Sequence, residues 1–342
     1  PPARPDGVAR VSISTARLGD DMLATRDPVL RMAWVERGNP IPQNPHTGRV
    51  LEAFRALEFR VVVDQFLTDT AREADLVLPA KSFLEQSDVI GAYWHPYIQL
   101  KQKVVEPPGE VKPESEIYRL LAERLGHGAR AGADLFPVTD AEVEAWLAAR
   151  LEPFPGLDLA RLREGPVEAP GHREIAFSAH VFATPSGKIE LRSAEAARRW
   201  GVDEAPRYRP AAEAVSWRTS ADEPHPLMLL TPNTKNRIPS QFGNLRSVRV
   251  LDPEPTATRH PSDAAVRSIG DGDPVRLHHE RGELTVTVRL DPGLRPGCVA
   301  LANGWWLSDG GAVNLTSLAR ETDHGHGAAF HDNRVEATRI GR

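Results

Sequence analysis

An aspartate at the end of a predicted buried strand is the first candidate for ligand chemistry in this sequence. Phe59 to Val63 is a short, mostly β-branched and apolar run, which predicts a strand buried on both faces. Asp64 follows it directly, and in open α/β sheets ligands lie outside the carboxyl ends of the strands. Because most aspartates after a strand only cap a turn, the position alone is weak evidence for a nucleotide site.

A second candidate loop is predicted at the same edge of the sheet. Residues 30–35 alternate between apolar and other side chains, which predicts a strand, and the chain then turns at Gly38, Asn39 and Pro40. Apolar residues at helical spacing between positions 50 and 57 predict a helix leading into the Phe59–Val63 strand. This crossover brings the Gly38–Pro40 loop beside Asp64, although the tripeptide alone is typical of a plain turn.

A polar loop follows the first strand of the second half of the chain. Residues 226–230 are almost entirely apolar and predict a buried strand. The loop after them carries hydroxyl, amide and cationic side chains, the donors that a pyrophosphate needs: Thr231, Asn233, Lys235, Asn236, Arg237 and Ser240. A solvated loop has the same composition, so composition alone leaves both interpretations open.

Metal and cysteine chemistry are weakly indicated. His324, His326 and His331 suit zinc or copper, but they lie in a glycine-rich loop without a cysteine partner. We therefore interpret them as polar loop residues in preference to a chelated metal. The single cysteine, Cys298, excludes an internal disulfide and any cysteine-based cluster built by this chain alone.

The second half of the chain has the pattern of a small β-barrel. Residues 284–290 alternate strictly, and short Gly-Asp and Glu-Arg-Gly turns separate this run from its neighbours. Short strands at regular spacing are typical of such barrels. In the first half, residues 116–125 and 141–151 predict amphipathic helices. Residues 152–223 are rich in Pro, Gly, Arg and Glu and predict a surface connector.

Composition disfavours some classes of partner. The 342 residues can hold two domains, and the net charge of -5 comes without a long basic run, which disfavours nucleic acid and membrane surfaces as partners. No apolar stretch approaches the roughly 20 residues of a membrane span. The chain starts with a Pro-rich lead-in and no Met, so we expect the cut end of a longer, cytoplasmic protein.

Several phrases together resemble one family. Residues 61–70 read Val-Val-Val-Asp-Gln-Phe-Leu-Thr-Asp-Thr, and residues 74–79 read Ala-Asp-Leu-Val-Leu-Pro, with Glu85 following. Residues 99–110, 182–191, 303–306 and 314–316 continue in the same order. The set resembles the dimethyl sulfoxide reductase family of molybdopterin oxidoreductases, which carry a bis(guanine dinucleotide) molybdenum cofactor. The resemblance spans about residues 30–113 and 184–336 and corresponds to the C-terminal half of a family member.

The resemblance implies roles for particular residues. Asp64 would accept hydrogen bonds from guanine, with Gly38, Asn39, Pro40, Thr68 and Asp75 around the same dinucleotide. The second dinucleotide and its pterin would contact the 231–244 loop, including Gln241, and the later residues Asn314, His331 and Asp332. The cofactor would be bis-molybdopterin guanine dinucleotide with molybdenum or tungsten. Any iron–sulfur cluster and the metal ligand would belong to the N-terminal half.

The resemblance also implies an architecture and a function. We expect an α/β domain with a parallel-sheet dinucleotide-binding crossover over residues 1–151, a connector with a hairpin over 152–223, and a double-psi β-barrel over 224–342. The function would be two-electron redox or oxygen-atom transfer on a small substrate. The alternatives are a non-catalytic carrier of the pterin dinucleotide and a structural protein without ligand. Partners would be the N-terminal half of the same enzyme and an electron-transfer subunit.

Overall fold

The computed structural model describes residues 11–211, 213, 223–323 and 325–341. The strands in these ranges are β1 Met32–Glu36, β2 Phe59–Asp64, β3 Leu76–Pro79, β4 Asp88–Ile90, β5 Tyr97–Lys101, β6 Val167–Glu168, β7 Leu227–Leu230, β8 Thr256–Arg259, β9 Pro274–His279, β10 Gly282–Leu290, β11 Cys298–Leu301 and β12 Arg334–Arg339. The helices are α1 Leu18–Ala24, α2 Pro40–Gln43, α3 Thr47–Arg55, α4 Asp69–Arg72, α5 Glu114–Arg124, α6 Asp140–Leu151, α7 Leu159–Glu164, α8 Ala194–Trp200, α9 Arg246–Leu251 and α10 Pro261–Ala265.

The chain divides into two compact units. The first unit comprises the described parts of Pro1–Val62, Leu67–Val77 and Leu191–Arg342, and the second comprises Val63–Phe66 and Leu78–Glu190. The α/β layer and the barrel therefore belong mainly to one unit. The domain limits predicted at residues 151 and 223 stay predictions.

A three-stranded sheet of order β1-β2-β3 forms the α/β layer. The amides of Glu58 and Phe59 donate to the carbonyl of Arg31, which brings together the starts of β1 and β2. Between β2 and β3, the amide of Asp75 donates to the carbonyl of Arg60 near the start of the two strands. The amide of Ala80 donates to the carbonyl of Asp64 near their ends. Neighbouring strands therefore run parallel, and the predicted parallel sheet is confirmed. The dinucleotide-binding crossover from β1 through α2 and α3 to β2 stays a prediction.

A small apolar core joins the helices of the α/β layer. Ile41, Val50 and Phe54 are buried and pack with Leu18 of α1 and Val35 of β1. Helices α1 and α3 approach closely, because a Cβ placed on Gly19 would lie 2.4 Å from the backbone carbon of Arg49. A side chain at Gly19 would therefore separate the two helices.

Among the described residues, six strands close a barrel in the order β10-β8-β11-β7-β12-β9. β10 pairs in parallel with β8, and β11 pairs in parallel with β7, while the remaining pairs are antiparallel. The inward residues of these strands form one apolar core that includes Leu229, Leu277, Val288 and Leu301. The predicted barrel is confirmed as a closed six-stranded barrel.

The second unit is built on the antiparallel sheet β4-β5-β6. Its core contains Val143, Leu147 and Leu151 of α6 together with Leu159 and Leu162 of α7. The predicted helices near 116–125 and 141–151 are present as α5 and α6. The hairpin predicted in the connector corresponds to residues 182–191. They hold a turn closed by Gly187 N donating to Thr184 O, and no strand is assigned to this range.

Candidate functional site

The strongest group of predicted site residues lies at the carboxyl ends of β7 and β11. These strands are parallel, with Ala300 opposite Leu230, so the residues that follow them are neighbours. The amide of Asn303 donates to the carbonyl of Pro232 over 2.9 Å and continues the pairing beyond the strands. The site position is therefore set by the parallel register of two barrel strands.

Four polar side chains meet at this strand end. The Nδ2 atom of Asn303 donates to the carbonyl of Thr231 at 3.2 Å and to Oδ1 of Asn233 at 2.9 Å. The hydroxyl of Thr231, which is buried, lies 2.9 Å from Nδ1 of His331. His331 and Asn233 are exposed. The structure thus brings together the predicted residues Thr231, Asn233 and His331, and we call these and Asn303 the strand-end cluster.

Asn303 was not predicted as a site residue. The sequence pattern that could have indicated it is the one used for Asp64. Asn303, like Asp64, is a polar residue just beyond an apolar strand. The Oδ1 atom of Asn303 is shielded from solvent and receives no hydrogen bond from any residue in the described part of the chain. An acceptor in this condition is costly, so it is a position where the chain fits a ligand donor.

The predicted phosphate ligand Arg237 lies inside the protein. Its side chain is 1% exposed and its Nε donates to Asp252 Oδ2 at 3.0 Å. Its guanidinium carbon also lies 3.6 Å from the centre of the Trp305 ring, a cation–π contact. The guanidinium therefore makes structural contacts through Nε and Nη2, while Nη1 is buried without a hydrogen-bond partner among the described residues. The ligand role of Arg237 stays a prediction.

The rest of the 231–244 loop divides into exposed and anchored residues. Lys235 and Gln241 are exposed, and Asn236 is half-buried. Ser240 has φ +66°, and its hydroxyl accepts a hydrogen bond from Asn39 Nδ2 at 2.8 Å. Lys235 is therefore the cation of this loop that is accessible to an anion.

Several predicted cofactor contacts instead join the α/β layer to the barrel inside the first unit. Asn39 is buried, and its Oδ1 accepts from the amide and the hydroxyl of Thr70 at 3.0 and 2.7 Å. Asn314 Nδ2 donates to the carbonyl of Pro42 at 2.9 Å, while its Oδ1 accepts from Ser317. These amides satisfy buried backbone and hydroxyl groups, which explains their burial without any ligand.

The remaining predicted contacts of the α/β layer have local partners. Gly38 is half-buried, and the left-handed residue of its turn is Arg37, with φ +53°. Pro40 is the first residue of α2, and the hydroxyl of Thr68 caps α4 by accepting from Ala71 N. Asp75 forms a two-pronged ion pair with Arg60 at 2.8 and 2.9 Å, which lowers the pKa of this carboxyl.

Asp64 lies at the carboxyl end of β2, and its ligand role stays a prediction. It ends β2 and is half-buried, and Oδ1 accepts from the amide of Phe66 at 3.2 Å. Burial raises the pKa of Asp64 above its usual value, while the amides of Phe66 and Gln65 oppose the rise. In the described part of the chain no cation contributes to this shift, so a donor-bearing ligand would relieve the cost of burying the carboxylate.

The described residues contain no group of three His, Cys, Asp or Glu side chains that could hold a metal ion. His324 lies outside the described residues, and Nδ1 of His326 lies 2.9 Å from a carboxylate oxygen of Glu321. Asp332 is buried and accepts from the amide of Glu213 at 2.9 Å. Cys298 lies half-buried in β11, and burial raises the pKa of its thiol.

The strand-end cluster fits a pterin or guanine dinucleotide in part. The cluster offers the hydroxyl and amide groups of Thr231, Asn233 and Asn303, and the enclosed Oδ1 of Asn303 has no donor among the described residues. Lys235 adds an accessible positive charge. Arg237 is enclosed and paired with Asp252, so its role as a ligand stays a prediction. The residues of this cluster, with Lys235, are therefore the ones that would hold the group.

Comparisons with known proteins agree with the two-part fold. The profile of the molybdopterin oxidoreductase family matches residues 16–124, and that of the molydopterin dinucleotide binding domain matches residues 227–334. A putative catalytic subunit of dimethyl sulfoxide reductase from Halobacterium salinarum is 32% identical over 98% of this chain and 40% of its own length. The dimethyl sulfoxide/trimethylamine N-oxide reductase of Cereibacter sphaeroides is 30% identical over 85% of this chain and 39% of its own.

A solved structure shows the same fold. Acetylene hydratase from Pelobacter acetylenicus superposes with a TM-score of 0.75 over 96% of this chain and 46% of its own, at 22% sequence identity. The chain belongs to the dimethyl sulfoxide reductase family of molybdopterin oxidoreductases. It spans less than half the length of each of these relatives.

Proposed function

We propose that this chain is the cofactor-binding portion of a molybdenum or tungsten oxidoreductase that carries bis-molybdopterin guanine dinucleotide. The observation that carries the proposal is the strand-end cluster, where an enclosed acceptor on Asn303 sits among hydroxyl and amide groups beside the accessible loop of Lys235. A nucleotide-like ligand supplies the donors and the negative charge that this group of residues suits.

The residues of this chain would bind and orient the cofactor. Lys235 would pair with a diphosphate, and the amides and hydroxyls of the strand-end cluster would fix a ring and its substituents. Asp64, separately, would accept from the N–H groups of a guanine, a contact that suits an enclosed carboxylate. When bound, the metal centre supplies two-electron redox or oxygen-atom transfer.

The substrate would be a small molecule, and the two named reductases among the relatives suggest S-oxides and N-oxides as the first to assay. Partners would be the rest of a longer polypeptide, which would carry the metal ligand and any iron–sulfur cluster, and an electron-transfer subunit. None of the described helices is long and apolar enough to cross a membrane. The cytoplasmic location stays a prediction.

We also propose that the barrel has double-psi topology. Its support is the closed order of six strands with two parallel pairs, β10 with β8 and β11 with β7, among antiparallel ones. Parallel neighbours in so small a barrel require crossing connections, which hairpins alone do not provide.

The test is metal and pterin analysis of the protein purified from its native source, with an intact mass on the same sample. We expect stoichiometric molybdenum or tungsten and guanine dinucleotides in a polypeptide longer than 342 residues. A native chain of this length that binds added dinucleotide and carries no metal would favour the carrier. A native protein that neither carries nor binds a pterin dinucleotide would overturn the proposal.

A further inference from the structure

We propose that the side-chain oxygen of Asn303 accepts a hydrogen bond from the 2-amino group that guanine and pterin have in common. The inference rests on the proposed function and names one contact within it. Both rings present the same 2-amino-4-oxo pyrimidine edge, and the contact applies to whichever of the two rings lies at the strand-end cluster. The experiment below distinguishes the two sources.

The orientation of the Asn303 amide is fixed by its surroundings. One end of the amide lies 3.2 Å from the carbonyl of Thr231, and a carbonyl only accepts hydrogen bonds. That end must therefore be the NH₂ group, and its second hydrogen goes to Oδ1 of Asn233 at 2.9 Å. Both donor positions are used within the protein, so the oxygen is the one atom of the amide left for a ligand.

The oxygen needs a donor that the described residues do not supply. It is shielded from water and receives no hydrogen bond from them, a condition that is unfavourable for a buried polar atom. A ligand donor must therefore displace a neighbour to reach it. Asn233 and His331 are the exposed members of the same cluster.

The chemistry of the oxygen selects among the parts of a dinucleotide. A phosphate has only acceptor oxygens at neutral pH and is repelled by a carbonyl oxygen. An exocyclic amine carries two hydrogens and projects beyond the ring, so it suits an acceptor in an enclosed position. A site that hydrogen-bonds such a group discriminates strongly against an analogue lacking it, because the acceptor is then left unpaired.

The experiment is calorimetric titration of the 342-residue chain with two matched pairs of probes. Guanosine diphosphate is compared with inosine diphosphate, which lacks the 2-amino group, and 6-hydroxymethylpterin with 6-hydroxymethyllumazine, which has an oxygen in its place. We expect about tenfold tighter binding of the amino compound in one pair. The pair that shows the preference identifies the ring at Asn303.

Two variants separate recognition from structural support. Asn303→Leu removes the acceptor and should abolish the preference by weakening only the amino compound about tenfold. Asn303→Asp retains an oxygen acceptor while losing the amide donor, so it should retain more of the preference than the leucine variant. Circular dichroism and the thermal midpoint of each variant control for folding.

Three results of these titrations would overturn the inference. Equal weakening of both members of a pair in Asn303→Leu would show that Asn303 only supports the loop, and would overturn the inference. A wild-type chain that binds the probes without preferring the 2-amino member also overturns it, even if neither variant folds, and leaves the proposed function intact. A folded wild-type chain that binds none of the probes would also overturn the inference, while the metal and pterin analysis of the native protein tests the proposed function separately.

Discussion

At the scale of single residues, Arg237 is a cation of the 231–244 loop whose side chain is buried in the protein and not exposed to a ligand. Its guanidinium pairs with Asp252 and stacks on Trp305, so its charge stabilises the loop. Lys235, two residues earlier, is exposed. The two cations of the loop therefore predict opposite effects on stability and on ligand binding.

Replacing Arg237 with Leu should lower the free energy of unfolding by about 1–3 kcal/mol, because the partly exposed Asp252 loses its ion-pair partner and Trp305 loses its cation–π contact. Lys235→Ala should change it by less than about 0.5 kcal/mol and should weaken guanosine diphosphate binding severalfold. Urea unfolding and calorimetric titration measure the two quantities. Equal stability of the two variants would contradict the structural role of Arg237.

For replacement of Asp64 we expect loss of ligand binding without loss of stability. Burial raises the pKa of this carboxyl, so its negative charge is less favourable in the folded state than in the unfolded chain. Asp64→Asn removes the charge and should leave the thermal midpoint unchanged or higher, while guanosine diphosphate binding falls at least tenfold. A lower midpoint with unchanged binding would argue that Asp64 only caps its turn.

At the scale of elements, the joint between the α/β layer and the barrel depends on Asp69. This residue of α4 is 6% exposed and accepts from the amides of Leu307 and Ser308 at 2.6 and 3.1 Å. Both amides begin a short 3₁₀ turn that follows barrel strand β11. The carboxylate therefore satisfies the free amides of a turn that is distant in sequence.

We expect Asp69→Ala to lower the free energy of unfolding by about 2–4 kcal/mol, because two backbone donors lose a charged acceptor. Chemical denaturation followed by circular dichroism gives the value. Asp291→Ala is the matched control, because its carboxylate accepts from the amide of Gly293 within an exposed turn and should cost under about 1 kcal/mol. Similar losses of unfolding free energy in the two variants would contradict the role of Asp69 in joining the α/β layer to the barrel.

The elements were predictable where the signal is local. β2 and α6 begin and end within about one residue of their predicted limits, because a buried apolar run and a helical period are both short-range patterns. Helix α7 was missed inside the predicted connector, although Asp158 caps it and Leu159 and Leu162 share one face. Six residues are too few for periodicity to separate from loop composition.

The partners of the candidate site residues were not predictable from local patterns. Asn39 and Ser240 are 201 positions apart, and their hydrogen bond depends on how the barrel meets the α/β layer. A polar side chain after a strand looks the same in sequence whether it faces a ligand or another loop. The barrel strand β8 shows the same limit, since its inward residue Arg259 is fully buried and breaks the apolar alternation.

At the scale of the whole molecule, stability should depend on pH through a histidine cluster of the barrel. His225 stacks on His279 at 4.1 Å between ring centres and meets His278 edge-on at 6.0 Å. Burial is the main cause that lowers the pKa of His278 and His279, helped by Arg276 and Arg281 respectively and by His225. The carboxylates of Glu213, Glu280, Glu283 and Glu336 oppose the shift but do not reverse it.

Because both pKa values are lower in the folded state, the unfolded chain binds protons first as the pH falls. The contribution of these imidazoles to stability is complete above about pH 6.5, the ordinary pKa of histidine, and declines below it. The free energy of unfolding, measured with urea at pH 7.5, 6.5 and 5.5, should therefore decrease toward acid.

The double variant His278→Gln/His279→Asn should flatten this decrease below pH 6.5, whereas His172→Gln, at an exposed position of the second unit, should leave it unchanged. Burial acts to raise the pKa of Glu336, but its contacts with Arg267 and the amide of Ala337 outweigh this and lower the pKa. Residual acid sensitivity at still lower pH is therefore expected from Glu336. An unchanged slope in the double variant would show that carboxylates alone set the response to acid. The two sources act in separate pH ranges, so one titration series assigns the loss of stability to the imidazoles or to the carboxylates.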